Sequence, residues 1–83
     1  MAITEVTDNN LNKALAGRPY ALLDFGATWC GPCQMLNPVL NQVAEKRKDI
    51  AILKIDVEKN SQLAMEFDVR NLPKLVILKT EFQ

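Results

Sequence analysis

The segment YALLDFGATWCGPC, residues 20–33, decides the fold, because it joins a buried strand to a reactive cysteine pair. Residues 20–25 are nearly all apolar, with only Asp24 interrupting, which is typical of a strand buried on both faces of a sheet. From Gly31 to about Arg47, apolar residues recur at helical spacing and predict a long helix. The cysteine pair therefore lies where a strand passes into a helix.

Outward from this segment, strands and helices alternate along the chain. The predicted strands are residues 3–6, 20–25, 50–57 and 75–78. The first predicted helix starts after Thr7 or Asp8 and ends near Gly17, the second runs from Gly31 to about Arg47, and the third starts after Asn60 or Ser61 and ends near Phe67. The resulting order is βαβαβαβ. Such alternation predicts an α/β layer structure whose strands run parallel to one another.

Length and composition predict a single domain over residues 1–83. A chain of this size hides only about 60 to 65% of its unfolded surface, so its stability margin is thin. Hydrophobic residues make up 48% and charged residues 24% of the chain, a balance that is typical of a globular protein and argues against disorder. Ten basic and ten acidic side chains cancel, and no basic cluster offers the positive face that phosphate neutralisation requires. We therefore expect no nucleic-acid partner.

No stretch approaches the roughly 18 apolar residues that a membrane span requires, and the N-terminus lacks a basic segment followed by an apolar run. We therefore expect a cytoplasmic protein with no membrane partner. The two cysteines close a loop so short that a disulfide between them would add only about 2 kcal/mol before strain. Chemical reactivity is the better reason for the pair.

The position of each cysteine predicts its role. Cys30 sits where the long helix begins, so the helix dipole and free N–H groups favour its thiolate, which makes it the nucleophile. Cys33 lies one turn further along, close enough to attack a mixed disulfide formed at Cys30, which makes it the resolving thiol. Pro32 fixes the backbone of the first turn, Gly31 lets a substrate pass close, and Trp29 adds a flat apolar surface.

Beyond this motif, landmarks along residues 3–79 resemble the thioredoxin family. Asp24 matches that family's buried acid, which relays a proton to or from the resolving cysteine. Lys54 matches the lysine near that acid and tunes it. Pro38 matches a proline that kinks the long helix. The resemblance implies a thioredoxin-like α/β fold for the whole chain.

Residues 69–73, Val-Arg-Asn-Leu-Pro, resemble the segment that faces the cysteine pair in thioredoxins. The resemblance implies a cis peptide bond at Pro73, and a hydrogen bond from the backbone of Leu72 to an extended substrate. Without this resemblance, the low frequency of cis X-Pro bonds would favour a trans turn at Pro73.

The resemblance implies a thiol-disulfide oxidoreductase that acts as a protein-disulfide reductase and electron carrier, with no cofactor of its own. A Gly-Pro pair between the cysteines is the version found in reducing thioredoxins. Because the chain has no histidine, proton transfer falls to Asp24, assisted by Lys54 or water. The implied partners are disulfide-containing proteins and an upstream electron donor resembling thioredoxin reductase.

Other interpretations stay open at this point. The fold could serve as a binding or adaptor module through the surface around Trp29, Leu72 and Pro73, or as a disulfide oxidase or isomerase. Trp29 could be an ordinary core residue. A zinc site would need two more ligands than the Cys-x-x-Cys motif supplies. Asp24 could simply form a structural salt bridge with Lys54, in which burial raises its pKa and the ammonium lowers it.

One departure from the family concerns the C-terminus. Thioredoxins continue after the strand at residues 75–78 with an edge strand and a C-terminal helix, which this chain lacks. We expect the flank of the long helix near Met35 and Val39 to be uncovered and residues 75–78 to form an apolar edge strand. A homodimer could hide that face, or the helices could shift to cover it. Lys74 also departs from the threonine usual after this proline, and adds a cation near the cysteines.

Overall fold

The computed structural model describes residues 3–15 and 17–80, and within them the predicted βαβαβαβ order is confirmed. The strands are β1 (Ile3–Glu5), β2 (Tyr20–Gly26), β3 (Ile50–Asp56) and β4 (Lys74–Lys79); the helices are α1 (Leu11–Leu15), α2 (Gly31–Lys46) and α3 (Ser61–Glu66). No helix among the described residues has the length and apolar character needed to cross a membrane.

The sheet order is β1-β3-β2-β4, with β2 in the interior and β4 at one edge. β1, β3 and β2 are parallel, but β4 runs antiparallel to β2, so the expectation that all strands are parallel is wrong. The length of α3 explains this direction. Its six residues span about 9 Å, whereas the seven residues of β3 span about 23 Å. The chain therefore re-enters the sheet near the end where β3 stopped.

The two faces of the sheet bury different clusters. On one face, fully buried side chains of β2 and β3 pack against α1 and α3, and the rings of Phe25 and Phe67 lie 5.6 Å apart. On the other face, α2 packs Leu40 and Ala44 against Ile52 and its neighbours. Because both faces of β2 are covered, its apolar run is continuous, as the sequence indicated.

The caps of the short helices differ from the expectation. α1 begins only at Leu11, because Thr7 forms a turn in which its carbonyl accepts a hydrogen bond from the N–H of Asn10. Asp8 instead caps α3: its carboxylate accepts a hydrogen bond of 3.0 Å from the N–H of Leu63. Asn60 precedes α3 as predicted, but its side chain bonds the N–H of Asp8 and the carbonyl of Asp56.

The apolar surface expected beside α2 is present. Met35 and Val39 on α2 are 78% and 52% exposed, and Leu75 and Ile77 on β4 are 45% and 74% exposed. Leu75 pairs with Asp24 and Ile77 with Leu22, which places both on the face that α2 covers elsewhere. The prediction of an open helix flank and an apolar edge strand is confirmed, and no helix within residues 3–15 and 17–80 covers them.

Two substitutions in α3 test the core. Leu63 is 3% exposed and Met65 is 81% exposed. We expect Leu63→Ala to lower the free energy of unfolding by about 2–4 kcal/mol, because it leaves a cavity under the sheet. Met65→Ala, the matched control, should change it by less than about 0.5 kcal/mol. Urea unfolding of both variants measures the difference, and equal values would contradict the assigned face of α3.

Candidate active site

Cys30 and Cys33 are joined by a disulfide at the start of α2, with their Cα atoms 5.3 Å apart. Cys30 is the N-cap residue, and its Sγ accepts a hydrogen bond of 3.2 Å from the N–H of Cys33. In the dithiol form the same N–H and the helix dipole stabilise a thiolate on Cys30. Both residues are buried, with exposures of 5% for Cys30 and 3% for Cys33.

Two features of the sequence place this turn against the sheet. Pro32 lies in the first turn of α2, where its missing N–H costs no hydrogen bond. Gly26, the last residue of β2, lies so close to α2 that an added Cβ would be 3.2 Å from both the Cβ and the Sγ of Cys33. The absence of a side chain at Gly26 therefore lets Cys33 lie directly on the strand.

An open groove of about 550 Å³ runs past Cys30. Trp29, Gly31, Pro32 and Leu72, all predicted to contact substrate, line it together with Cys30. Pro73 is not among the lining residues, but the Leu72–Pro73 peptide bond is cis, as the resemblance implied. Because β4 is antiparallel, its first residues lie at the sheet edge where β2 ends, which brings the segment before β4 beside the cysteines.

Trp29 is 67% exposed, so its interpretation as a core residue is wrong. Its indole Nε1 donates a hydrogen bond of 2.8 Å to Oε2 of Glu58, which follows β3. The N–H of Glu58 in turn donates to the carboxylate of Asp56 at 2.9 Å. The Trp29 ring is thus held in the wall of the groove by a partner that the sequence did not single out.

Asp24 is 1% exposed in the middle of β2, and its Oδ1 has no hydrogen-bond partner in the described part of the chain. Burial raises the pKa of this carboxyl above its ordinary value, and the positive charge of Lys54 opposes part of that rise. Gly26, which contacts Cys33, lies two residues further on the same face of β2. The buried acid therefore lies beneath the end of α2 that carries Cys33.

Lys54 faces Asp24 in the register of β2 and β3, yet within residues 3–15 and 17–80 the two form no ion pair. Its Nζ instead donates a hydrogen bond of 2.8 Å to Oδ1 of Asn37 on α2. The interpretation of Asp24 and Lys54 as a structural salt bridge is therefore wrong. A cavity of about 100 Å³ lies alongside, with Cys33, Lys54 and Asp56 in its walls.

Sequence reasoning missed Asn37, Glu58 and the contact made by Gly26. Asn37 follows Cys33 by four residues on α2, so helical spacing alone places it on the same side of the helix. Nothing in the local sequence indicates that Glu58 bonds Trp29. Among the described residues no group of three or more His, Cys, Asp or Glu side chains could hold a metal ion.

Comparison with known proteins agrees with this geometry. The thioredoxin family model matches residues 2–82. A thioredoxin of Staphylococcus haemolyticus is 44% identical over 80 residues, which cover 95% of this chain and 76% of that protein. The solved structure of a mutant thioredoxin from Halobacterium salinarum superposes with a TM-score of 0.86 at 41% identity, covering 93% of this chain and 68% of that one. A bifunctional thioredoxin reductase/thioredoxin of Mycobacterium leprae is 40% identical over 77 residues, 90% of this chain and 17% of that protein.

The raised pKa of Asp24 predicts how stability depends on pH. Because its pKa is higher in the folded than in the unfolded chain, Asp24 stabilises the fold below its unfolded pKa, and this contribution is lost as the pH rises through its folded pKa. The loss is about 1.4 kcal/mol for each pH unit separating the two values. We expect oxidised Asp24→Asn to lack this decline and to gain stability relative to the unsubstituted protein as the pH rises from about 3 to about 9.

Urea unfolding across that pH range measures the difference between the two proteins. Asp68→Asn, which alters an exposed carboxyl at a positive φ that asparagine tolerates, is the matched control. A stability difference for Asp24→Asn that is the same at every pH would contradict the raised pKa.

Proposed function

The chain belongs to the thioredoxin family and is a thiol-disulfide oxidoreductase, and from this premise we propose the roles that its site residues take in the reduction of protein disulfides. The observation that carries the proposal is the Cys30–Cys33 disulfide at the N-terminus of α2, beside an open groove. Cys30 is the nucleophile and Cys33 the resolving thiol.

The reaction moves two electrons from the dithiol to a substrate disulfide. The Cys30 thiolate attacks one substrate sulfur, forms a mixed disulfide and releases the other substrate sulfur as a thiolate. Cys33 then loses its proton and attacks the sulfur of Cys30, which frees the first substrate sulfur as a thiol and closes the Cys30–Cys33 disulfide. The position of Cys30 at the helix N-terminus supports its role, because the dipole stabilises the attacking thiolate.

Asp24 is the proton acceptor for Cys33. Cys33 lines the cavity of about 100 Å³ together with Lys54, which is the neighbour of Asp24 in the strand register. Its burial favours this role, because a carboxyl with a raised pKa binds a proton closer to neutral pH than an exposed one does. Lys54 tunes Asp24 through its charge. No histidine is present in the sequence to compete for the task.

The groove binds the segment around the substrate disulfide. Trp29, Gly31 and Pro32 form one wall, and the backbone of Leu72 offers hydrogen bonds to an extended chain, with Pro73 holding that segment opposite Cys30. The partly apolar lining and open shape suit an unfolded or looped peptide segment rather than a small molecule. The substrates are therefore proteins with accessible disulfides.

The oxidised pair must be reduced again for each turnover. The Mycobacterium leprae relative joins, in its name, a thioredoxin reductase and a thioredoxin, which favours a donor of the thioredoxin reductase type for this chain as well. The protein thus acts in electron transport between that donor and its substrates. We place it in the cytoplasm, because a dithiol reductant has its function where thiols are kept reduced.

The open apolar face supports the proposal that the protein forms a homodimer at high concentration. Leu75 and Ile77 lie on the edge strand, and Met35 and Val39 lie on the neighbouring flank of α2. An edge strand presents unpaired backbone groups, and two antiparallel copies of β4 related by a two-fold axis satisfy each other. None of these four residues is among those that line the cysteine groove.

Reduction of insulin disulfides by dithiothreitol tests the assigned reaction. We expect rapid turnover with the unsubstituted protein and none with Cys30→Ser, because no nucleophile remains. Cys33→Ser should instead accumulate a mixed disulfide with insulin that is visible by mass spectrometry. If the folded protein shows no turnover and still binds its partners after both cysteines are replaced by serine, the chain is an adaptor module. If its redox potential lies above that of its substrates, it is an oxidase or isomerase.

Sedimentation velocity over a range of concentrations tests the dimer. We expect a concentration-dependent dimer for the unsubstituted protein and a monomer for Ile77→Lys, because a lysine on an edge strand opposes pairing. Met65→Lys places the same charge on an exposed apolar position outside the α2 face and should leave the dimer intact. A monomer at every concentration contradicts the proposed contact.

A further inference from the structure

A line of side-chain hydrogen bonds crosses from the sheet to the loop before the cysteines. Lys54 on β3 donates to Oδ1 of Asn37 at 2.8 Å, and Nδ2 of Asn37 donates to Oε1 of Gln34 at 3.2 Å. Nε2 of Gln34 then donates to the carbonyl of Thr28 at 3.3 Å. The line thus ties three separate parts of the chain together, and it runs past the turn of α2 that carries Cys33.

The chemistry of the groups fixes the direction of this line. A lysine ammonium can only donate, so the oxygen of Asn37 must face it and its NH₂ must face away. That NH₂ in turn needs an acceptor, which the oxygen of Gln34 supplies, and the NH₂ of Gln34 ends the line at a backbone carbonyl. Each amide is held by two bonds, so the position of Asn37 is determined from both sides.

Lys54 bonds Asn37 although a stronger acceptor lies next to it. Asp24 is its neighbour in the strand register, and the Oδ1 of Asp24 has no partner among the described residues. An ionised carboxylate would attract the ammonium through its charge as well as through a hydrogen bond, whereas a neutral amide oxygen offers the hydrogen bond alone. The ammonium is therefore held by the helix and not by the buried acid.

We propose that Asn37 is a positioning residue for the reductase: it holds the ammonium of Lys54 against α2, beside the cavity at Cys33 and out of direct contact with Asp24. Asp24 then keeps its proton to higher pH than it would in a direct ion pair. The proposal rests on the role of Asp24 as the proton acceptor for Cys33, and adds the residue that decides how strongly Lys54 acts on it.

The other ionisable groups near Lys54 come from both cavities that it lines and from the strand register. Glu5 and Asp56 border both cavities, Cys33 borders the one at α2, and Asp24 is the register neighbour on β2. The second cavity adds Asp8 and Lys59. On α2 the side chains next to Lys54 and Cys33 are the neutral Asn37 and Gln34. Loss of the Asn37 oxygen leaves Asp24, whose buried Oδ1 has no partner among the described residues, as an acceptor beside Lys54 in the strand register.

Carboxyl ¹³C NMR titration of Asp24 in the oxidised protein tests the proposal without any measurement of activity. In Asn37→Ala we expect the titration midpoint of Asp24 to fall by about one pH unit, because the freed ammonium pairs with the carboxylate. Alanine favours helix, so α2 should remain folded. Asn41→Ala, the same change one turn further along α2 at an exposed position, should leave the midpoint unchanged. An unchanged or raised midpoint in Asn37→Ala overturns the proposal.

A double-variant cycle shows whether Asn37 acts through Lys54. In a Lys54→Met background, Asn37→Ala should shift the Asp24 midpoint by less than about 0.2 pH unit, because the charge that it positions is gone. A shift as large as in the unsubstituted background would show a merely structural effect and overturn the proposal. Asn37→Asp, which keeps the acceptor oxygen in place, should hold the ammonium on α2 and keep the Asp24 midpoint from falling.

Kinetics separate this inference from the role of Asp24. We measure the rate at which Cys33 resolves a mixed disulfide as a function of pH. The step in this rate that follows the ionisation of Asp24 should be absent in Asp24→Asn, and in Asn37→Ala it should occur at a lower pH. If Asp24→Asn leaves the profile unchanged, the proton-acceptor role fails, while the NMR titration still reports on where Asn37 holds Lys54. If Asp24→Asn alters the profile but Asn37→Ala moves neither readout, only the positioning role of Asn37 fails.

Discussion

The burial of β2 in the interior of the sheet is the constraint on which the rest of the structure depends. Ala21, Leu23 and Phe25 are fully buried on one face, and α2 covers the other. From the end of β2 the chain passes through residues 27–30 into α2, which covers the second face of the sheet and places a helix N-terminus at the sheet edge. Asp24 is drawn into the same burial, where a carboxylate without a partner is costly. The reactive thiol and the buried acid are thus two results of one packing arrangement.

The pattern of apolar residues predicted the strands and helices because burial of β2 and α2 leaves a periodic signal in the sequence. The direction of β4 was predicted wrongly, because the alternation of strands and helices was taken to imply parallel strands, although a helix of six residues is too short to carry the chain back along β3. The cap of α3 was missed for a related reason. Asp8 lies 55 residues from Leu63 in the chain, and only the folded sheet brings them together.

The cysteine motif and the resemblance named residues that do line the groove, and they predicted the cis bond before Pro73. They did not predict what holds the charged groups. The resemblance placed Lys54 near Asp24, with a salt bridge between them as an open alternative, whereas the bond of Lys54 goes to Asn37 on another element. The distance between polar side chains across a helix and a sheet depends on how deeply the helix packs, and no pattern along one chain segment records that depth.

The hydrogen bond between Trp29 and Glu58 has an optical consequence. The chain contains a single tryptophan, and it lies next to Cys30 in the wall of the groove. The intrinsic tryptophan fluorescence of the protein therefore comes from this site alone. Because its N–H is bonded to a carboxylate and its ring is largely open to solvent, the emission responds both to the state of the neighbouring sulfur atoms and to whatever covers the ring. Without any label, the fluorescence of Trp29 therefore reports both the oxidation of the cysteine pair and the occupancy of the groove.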